Sequence, residues 1–485
     1  MLKQLFFVVL CLLVTDCKKK NKTIDTTAEI PAPLPDGVKP NIPIPAKIDP
    51  NWVSTPREES DILEVLGVIN SNDRLNTRFL TTCEQFNQGN KDLTEFTKAI
   101  DKSLNSLSDQ RQIELSKGTG LTGCARSFDL RDYGMTRQNW EFFVAELHRT
   151  FGKTFESFTT RGILIKQLTQ SVQASIPASI FMSIAHNQPV YSNMLGLPAT
   201  ESELEAFLDV DLQDNFDTED RNTHLFGVTQ SPISITKPRL GLATESGDGF
   251  YYKTYDILIG SVGQNTTNPF ESPFPVQARS VRTLAHDGSE SIFSLPNGLI
   301  GFYLSNGLGN QVDFAPLDLV TDPVAAGRGL NPTITYLSCL ECHKQAIIPV
   351  DDEIAKKVET DPSYGIDDRQ KVEFWHGRSQ ALSAKIRQDT ALVFETFDKM
   401  GIGKNENDQI NAYTNLIRSE SNLEQVAALM RQKPDDFARS LRSTIQSLQE
   451  IGQLLNGDTV TLDQLQKTLQ VYVVEANIFR DDFGE

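Results

Sequence analysis

The chain is poor in the residues that bind metals and make sulfur bonds. Six cysteines, six histidines and six methionines are spread over 485 residues, so a site built from them can draw on few positions. A closed zinc site needs two pairs of N or S ligands. No cysteine lies beyond Cys342, and His376 is the only histidine after His343, so a second pair is lacking there. Positive charge is scarce too. The 46 Lys and Arg stand against 64 Asp and Glu, and the net charge of −18 argues against nucleic acid as a partner because phosphates would be repelled. Apolar runs long enough to span a membrane are missing. Two motif-like stretches also lack what their chemistry requires. Gly118-x-Gly-x-x-Gly123 has the letters of a dinucleotide fingerprint, but no strand–helix unit surrounds it, and a mobile loop beside Cys124 is expected instead. Asp209 to Asp220 lacks the glycine and the terminal glutamate of a calcium loop, so it reads as a solvated acidic helix end.

What is present is concentrated in Tyr336-Leu-Ser-Cys-Leu-Glu-Cys-His-Lys344. Cys339, Cys342 and His343 form C-x-x-C-H, the attachment sequence of a c-type haem. Two thiols at this spacing reach one side of a porphyrin and add to its vinyl groups, and the adjacent imidazole supplies an axial nitrogen to the iron. The competing readings are a chance C-x-x-C in a loop and half of a zinc site.

The N-terminus favours the haem reading. A short charged start precedes the apolar run Leu5 to Val14, as in an export signal. The run ends in Val14-Thr-Asp-Cys17 followed by three lysines, which resembles a bacterial lipobox with Asp16 where a small residue is usual. Lipidation at Cys17 and export to the periplasmic or outer-surface side of a bacterial membrane are therefore expected. Thiols oxidise in that setting. With Cys11 removed, Cys17 acylated and Cys339 and Cys342 on haem, Cys83 and Cys124 remain as a disulfide pair or as two buried thiols.

Six segments follow from composition. Residues 1–17 are the signal with its lipobox-like end. Residues 18–58, punctuated by Pro31, Pro33, Pro35, Pro40, Pro43, Pro45, Pro50 and Pro56, are a semi-rigid tether. Residues 59–224 repeat apolar positions at helical spacing, as in Ile62, Leu63, Leu66 and Ile69, and Ser202-x-x-Glu205 has the form of a capping box. Residues 225–330 are β-rich, with the runs Ile233–Thr236, Phe250–Ile259, Ser291–Leu295 and Leu299–Leu304, the last two flanking the turn Pro296-Asn-Gly298. Residues 331–400 hold the attachment sequence. Residues 401–485 return to helix, with Phe437, Leu441, Ile445, Leu448, Ile451 and Leu455 on one stripe, a stop at Asn456-Gly457 and a cap at Thr461-x-x-Gln464.

Leu130-Arg-Asp-Tyr-Gly134, Pro189 to Pro198 (Pro-Val-Tyr-Ser-Asn-Met-Leu-Gly-Leu-Pro), Tyr251-Tyr-Lys-Thr-Tyr-Asp256 and His286-Asp-Gly-Ser-Glu-Ser-Ile-Phe-Ser-Leu-Pro-Asn-Gly-Leu299 follow one another. They continue through Gly309–Asp313 and Ala315-Pro316 into C-x-x-C-H. In this order they resemble a family of exported bacterial proteins with a single c-type cytochrome domain. Two positions depart from it: Ser289 stands in place of a second glycine, and Ser179-Ile180 in place of a polar–aromatic pair. The resemblance implies a covalently held haem c and a cytochrome role, with no substrate attached to it. The expected fold is α+β, predominantly helical, with the haem between the hairpin and the C-terminal helices.

The leading functional expectation is electron transfer to a redox partner protein, whose basic face would suit this acidic chain, from a lipid-anchored position on the membrane. The alternatives are an enzyme or sensor whose open iron position takes peroxide or a diatomic gas, and a surface lipoprotein that binds a partner with haem merely structural. The residue expected as the second iron ligand is His286, which opens the segment most like the family and precedes the hairpin. His376, Met400, an open position or another residue are the other options, and Met430 reads as core packing of an amphipathic helix. One outcome follows from the leader. Cys17→Ser releases the protein from the detergent phase or stalls its processing, and a mature N-terminus elsewhere without acyl chains, read by mass spectrometry, contradicts the anchor.

Overall fold

The computed structural model describes residues 55–468, except 86–91, 230–238, 257–285, 328–332, 430–433, 443–445 and scattered short stretches. The leader, Cys17, the tether prolines through Pro50, the run Ile233–Thr236, residues 257–259 and Met430 lie outside the described residues. The fold is α+β and mostly helical, with about 49% helix and 18% strand, the strands pairing antiparallel except for one parallel pair. Among the described residues no helix is long and apolar enough to cross a membrane.

The helix Thr55–Val68 begins inside the stretch expected to be tether. Ile62, Leu63 and Leu66 are the apolar side of its 3.6-residue repeat and are buried with Cys83 and Cys124 in a small cluster of their own. Beside that cluster is a four-stranded sheet, where the sequence pattern led us to expect helix. It consists of β1 (Thr77–Thr81), β2 (Lys117–Thr119), β3 (Ala125–Asp129) and β4 (Ser175–Pro177), in the order β2-β3-β1-β4. The Gly118 stretch thus begins on β2, one arm of a β2–β3 hairpin, and its described residues Gly120, Thr122 and Gly123 lie between the two strands beside Cys124. β1 is buried at all five positions, so it shows no alternation from which a strand could be read. Pairing of β1 with β3 places Cys83 beside Cys124, and the two are joined in a disulfide with Cα atoms 4.8 Å apart. Closing a loop of that size stabilises the fold by about 4 kcal/mol on the chain-entropy account.

The rest of the first half is helical. Trp140, Phe143, Val144, Leu147 and Phe151 are the buried stripe of Arg137–Phe151, and the Trp140 indole donates to the Gln173 carbonyl at 2.8 Å. The helix Glu201–Phe207 is capped by Thr200 and Glu203, not by the expected Ser202 and Glu205, because Glu205 turns inward to the Lys253 ammonium at 3.1 Å.

A second sheet runs in sequence order through β5 (His224–Val228), β6 (Arg239–Ser246), β7 (Gly249–Asp256), β8 (Gly288–Ser294) and β9 (Ile300–Asn306), all antiparallel. The expected turn joins β8 to β9. Gly298 there has φ +88°, a conformation that glycine adopts without strain. The Asn297 side chain accepts from Leu299 N–H at 3.0 Å and donates to the Asn105 carbonyl at 2.8 Å, which ties the turn to the helix Thr94–Asn105. The free edge of β5 is covered. Gly227 N–H donates to Asp352 at 3.1 Å and Thr229 N–H to Glu353 at 2.8 Å, at the start of the helix Glu353–Thr360.

The C-terminal stripe read as one helix is two elements, Pro434–Leu441 and a 3-10 segment Gln446–Asn456, ended by Gly457 at φ +86°. The reciprocal cap between Thr461 and Gln464 forms as expected. One buried cluster contains residues from Leu80 to Leu465 and so joins the helical first half, the second sheet and the C-terminal helices.

His186 lies in this core, with Nε2 2.9 Å from Ser103 Oγ, and burial pushes its pKa down from 6.5 to about 4. Between those values the unfolded chain holds a proton that the folded chain refuses, so stability falls as pH drops below about 6.5 and this contribution levels off near 4. The loss amounts to about 3 kcal/mol. Urea unfolding between pH 7 and pH 4 should show this extra slope in the wild type and not in His186→Asn, and parallel profiles would contradict it.

Candidate haem-attachment site

Cys339 and Cys342 belong to a short helix, Tyr336–Cys342. A three-residue separation on a helix puts both side chains on one face, and neither is in a disulfide. The helix is anchored at its start. The Tyr336 ring packs 4.5 Å from Tyr191, its hydroxyl accepts from Gln188 at 2.7 Å, and the Leu337 carbonyl accepts from Asn411 at 2.9 Å. Tyr191 in turn accepts from Phe302 N–H at 3.1 Å, so one aromatic pair links this helix to β9.

His343 is the residue at which the helix ends, and its N–H donates to the Cys339 carbonyl at 2.8 Å. Ala346 takes φ +73°, and its carbonyl lies 3.1 Å from His343 Nδ1. A carbonyl can only accept, so Nδ1 carries the proton and Nε2 keeps its lone pair. Burial pushes the His343 pKa down to about 4, so the ring is neutral at ordinary pH. A neutral imidazole oriented through Nδ1 is the form that ligates a metal through Nε2. Burial also pushes both thiols above their ordinary range, Cys339 the further of the two.

All three side chains line one cavity of about 380 Å³ between the second sheet, the segment 347–351 and Ile386 of the helix Ser379–Lys399. Its sheet wall is largely apolar, with Phe226, Tyr252, Ile292, Phe302 and Leu304. A more open cleft of about 850 Å³ adjoins it, sharing Cys342, Ile347, Ile348, Pro349 and Ile386 and adding Lys344, Arg387 and Lys404. Two unpaired thiols on one helix face, an imidazole with Nε2 available and apolar walls are the donor set and surroundings that covalent haem attachment requires. Among the described residues no group of three or more His, Cys, Asp or Glu is placed to hold a metal ion.

The cavity also has a polar end that sequence reasoning missed. Arg239 grips Asp256 through Nε at 2.6 Å and Nη2 at 3.1 Å, and Nη2 lies 2.9 Å from Glu290 Oε2. Burial works against the guanidinium charge, but Asp256 and then Glu290 hold its pKa above the ordinary value. Burial raises the Asp256 carboxyl despite Arg239. Tyr252, on the same wall, donates to Asp389 at 2.6 Å. The available signal was charge inside β-favouring runs: Asp256 and Glu290 fall in the family-like segments, where neither received a role.

The remaining candidates are placed elsewhere. His286 is not among the cavity-lining residues; its ring packs edge-on to Tyr255 at 5.1 Å. Tyr255 follows Thr254 on β7, and successive side chains of a strand point to opposite faces, so His286 packs on the face away from the cavity. His376 is buried with Nδ1 2.7 Å from Asp352, the residue that caps Glu353–Thr360. Met400 is buried at the end of Ser379–Lys399 and lines neither the cavity nor the cleft. Cys83 and Cys124 serve the separate N-terminal cluster.

The chain matches no family model, no curated protein and no solved structure. The placement of His286 has a direct consequence. His286→Ala should leave the ferric and ferrous optical spectra of the haem-bearing protein at their wild-type form, and conversion to a high-spin spectrum would put His286 at the iron.

Proposed function

We propose that this chain is an exported monohaem c-type cytochrome, held to a membrane by a lipid at Cys17 and acting in electron transfer. One observation carries the reading: Cys339, Cys342 and His343 converge on a single, mainly apolar cavity with His343 Nε2 available. Bound there, the haem supplies a one-electron couple. The protein's own part is to hold, orient and desolvate. Cys339 and Cys342 anchor the group, Ala346 fixes the imidazole, and the apolar sheet wall excludes water. At the polar end Arg239 is buried against Asp256 and Glu290. The acidic chain suits a basic-faced redox partner.

A specific observation also favours a second reading, a haem enzyme or sensor with an open iron position. Among the described residues no methionine, and no histidine besides His343, lines the cavity.

Cys339→Ala and Cys342→Ala, expressed in a host that matures c-type cytochromes, should lose normal two-thioether attachment, seen as lost or weakened haem stain on denaturing gels. Wild-type protein without covalent haem ends the proposal. Optical spectra with and without carbon monoxide separate the two readings: binding of the gas to the ferrous protein selects the second.

A further inference from the structure

The polar end of the cavity holds two oxygens that no other described residue uses. Thr254 and Glu290 are direct partners in the β7–β8 pairing, so their side chains stand side by side on the cavity face of the sheet. Arg239 occupies Glu290 Oε2 at 2.9 Å. Glu290 Oε1 and Thr254 Oγ1 are both buried, and neither has a hydrogen-bond partner among the described residues. Buried polar atoms are nearly always paired, so two adjacent exceptions on the wall of a cavity point to a ligand. The two offer different things. Glu290 Oε1, as a carboxylate oxygen fixed from behind by Arg239, can only accept, whereas a hydroxyl can accept or donate. Neither group is a metal ligand in the reading above.

We propose that Thr254 and Glu290 form a recognition site for a small ligand that carries an O–H or N–H donor, bound in the same cavity as the haem. The site rests on the haem reading and adds to it the class of molecule that the cavity selects. Ligands of similar size without a donor hydrogen gain nothing from Glu290 Oε1 and meet an unfavourable lone pair. Selection by a fixed buried acceptor is strong because the mismatched ligand leaves that acceptor desolvated and unpaired.

The test uses the full-length protein with haem attachment confirmed by stain. Ferric protein is titrated optically with imidazole, which keeps an N–H donor when it ligates iron, and with 1-methylimidazole, which has none. Wild type should prefer imidazole by about tenfold or more. In Glu290→Gln the amide oxygen stays on Arg239 and its NH2 turns to the cavity, so the preference should fall to about one. Thr254→Val removes the hydroxyl at nearly constant volume and should lower imidazole affinity severalfold, which keeps the test alive if the Glu290 variant does not fold. A haem-bearing wild type that binds neither probe, or a preference unchanged in both variants, overturns this site while leaving the haem reading in place. Wild type without covalent haem overturns both.

Discussion

Side chains alternate between the two faces of a strand, and in the sheet β5–β9 this rule separates two kinds of chemistry. On one face Lys253 meets Glu201 at 3.0 Å and Glu205 at 3.1 Å, with Tyr251, Tyr255 and Ser289 beside them. On the other, Tyr252, Thr254, Glu290 and Ile292 face the cavity that holds Cys339, Cys342 and His343. A slip of one residue in β7 would bring Lys253 into the cavity and Thr254 into the buried cluster. The placement of the site therefore depends on register.

Charge enforces that register from both sides. Lys253 is buried between two carboxylates, and Arg239 is buried between two others. Separating the cation of such a set from its carboxylates leaves uncompensated buried charge, which costs about 3–5 kcal/mol. A shifted sheet would face that cost at both sets at once. Ser289 belongs to the Lys253 side: its hydroxyl bonds Glu201 and lies 2.8 Å from Ser305, so it serves the core face and not the cavity face.

The helix Tyr336–Cys342 depends on the same sheet. Tyr336 and Tyr191 join it to Phe302 of β9, and the Phe302 ring lies 5.8 Å from His343. The β8–β9 turn is pinned to the helix Thr94–Asn105 by Asn297, a contact spanning 192 residues of sequence. The helical first half thus fixes one end of the hairpin while the cavity forms along its length. Electron transfer and ligand binding place different demands on this arrangement. The first needs a buried, firmly oriented iron, and the second needs space and an unpaired polar group beside it.

What the sequence determined by itself is what local interactions decide. The grouping of Cys339, Cys342 and His343 is legible because the three lie within five residues. The turn at Pro296-Asn297-Gly298, the cap at Thr461 and Gln464 and the stop at Gly457 are legible because each is settled within a few residues. The α+β class and the β8–β9 hairpin follow from periodicity in the same way. Only the tertiary structure decided the rest, since those outcomes depend on partners far apart in the chain. β1 gave no strand signal because it is buried on both faces, and it became a strand by pairing with β3 and β4. His286 precedes the β8–β9 hairpin in sequence, yet its ring packs against Tyr255 and it is not among the cavity-lining residues. Arg239, Asp256 and Glu290 come from three strands, and no short segment could reveal that they meet at one end of the cavity, because the antiparallel register alone brings them together.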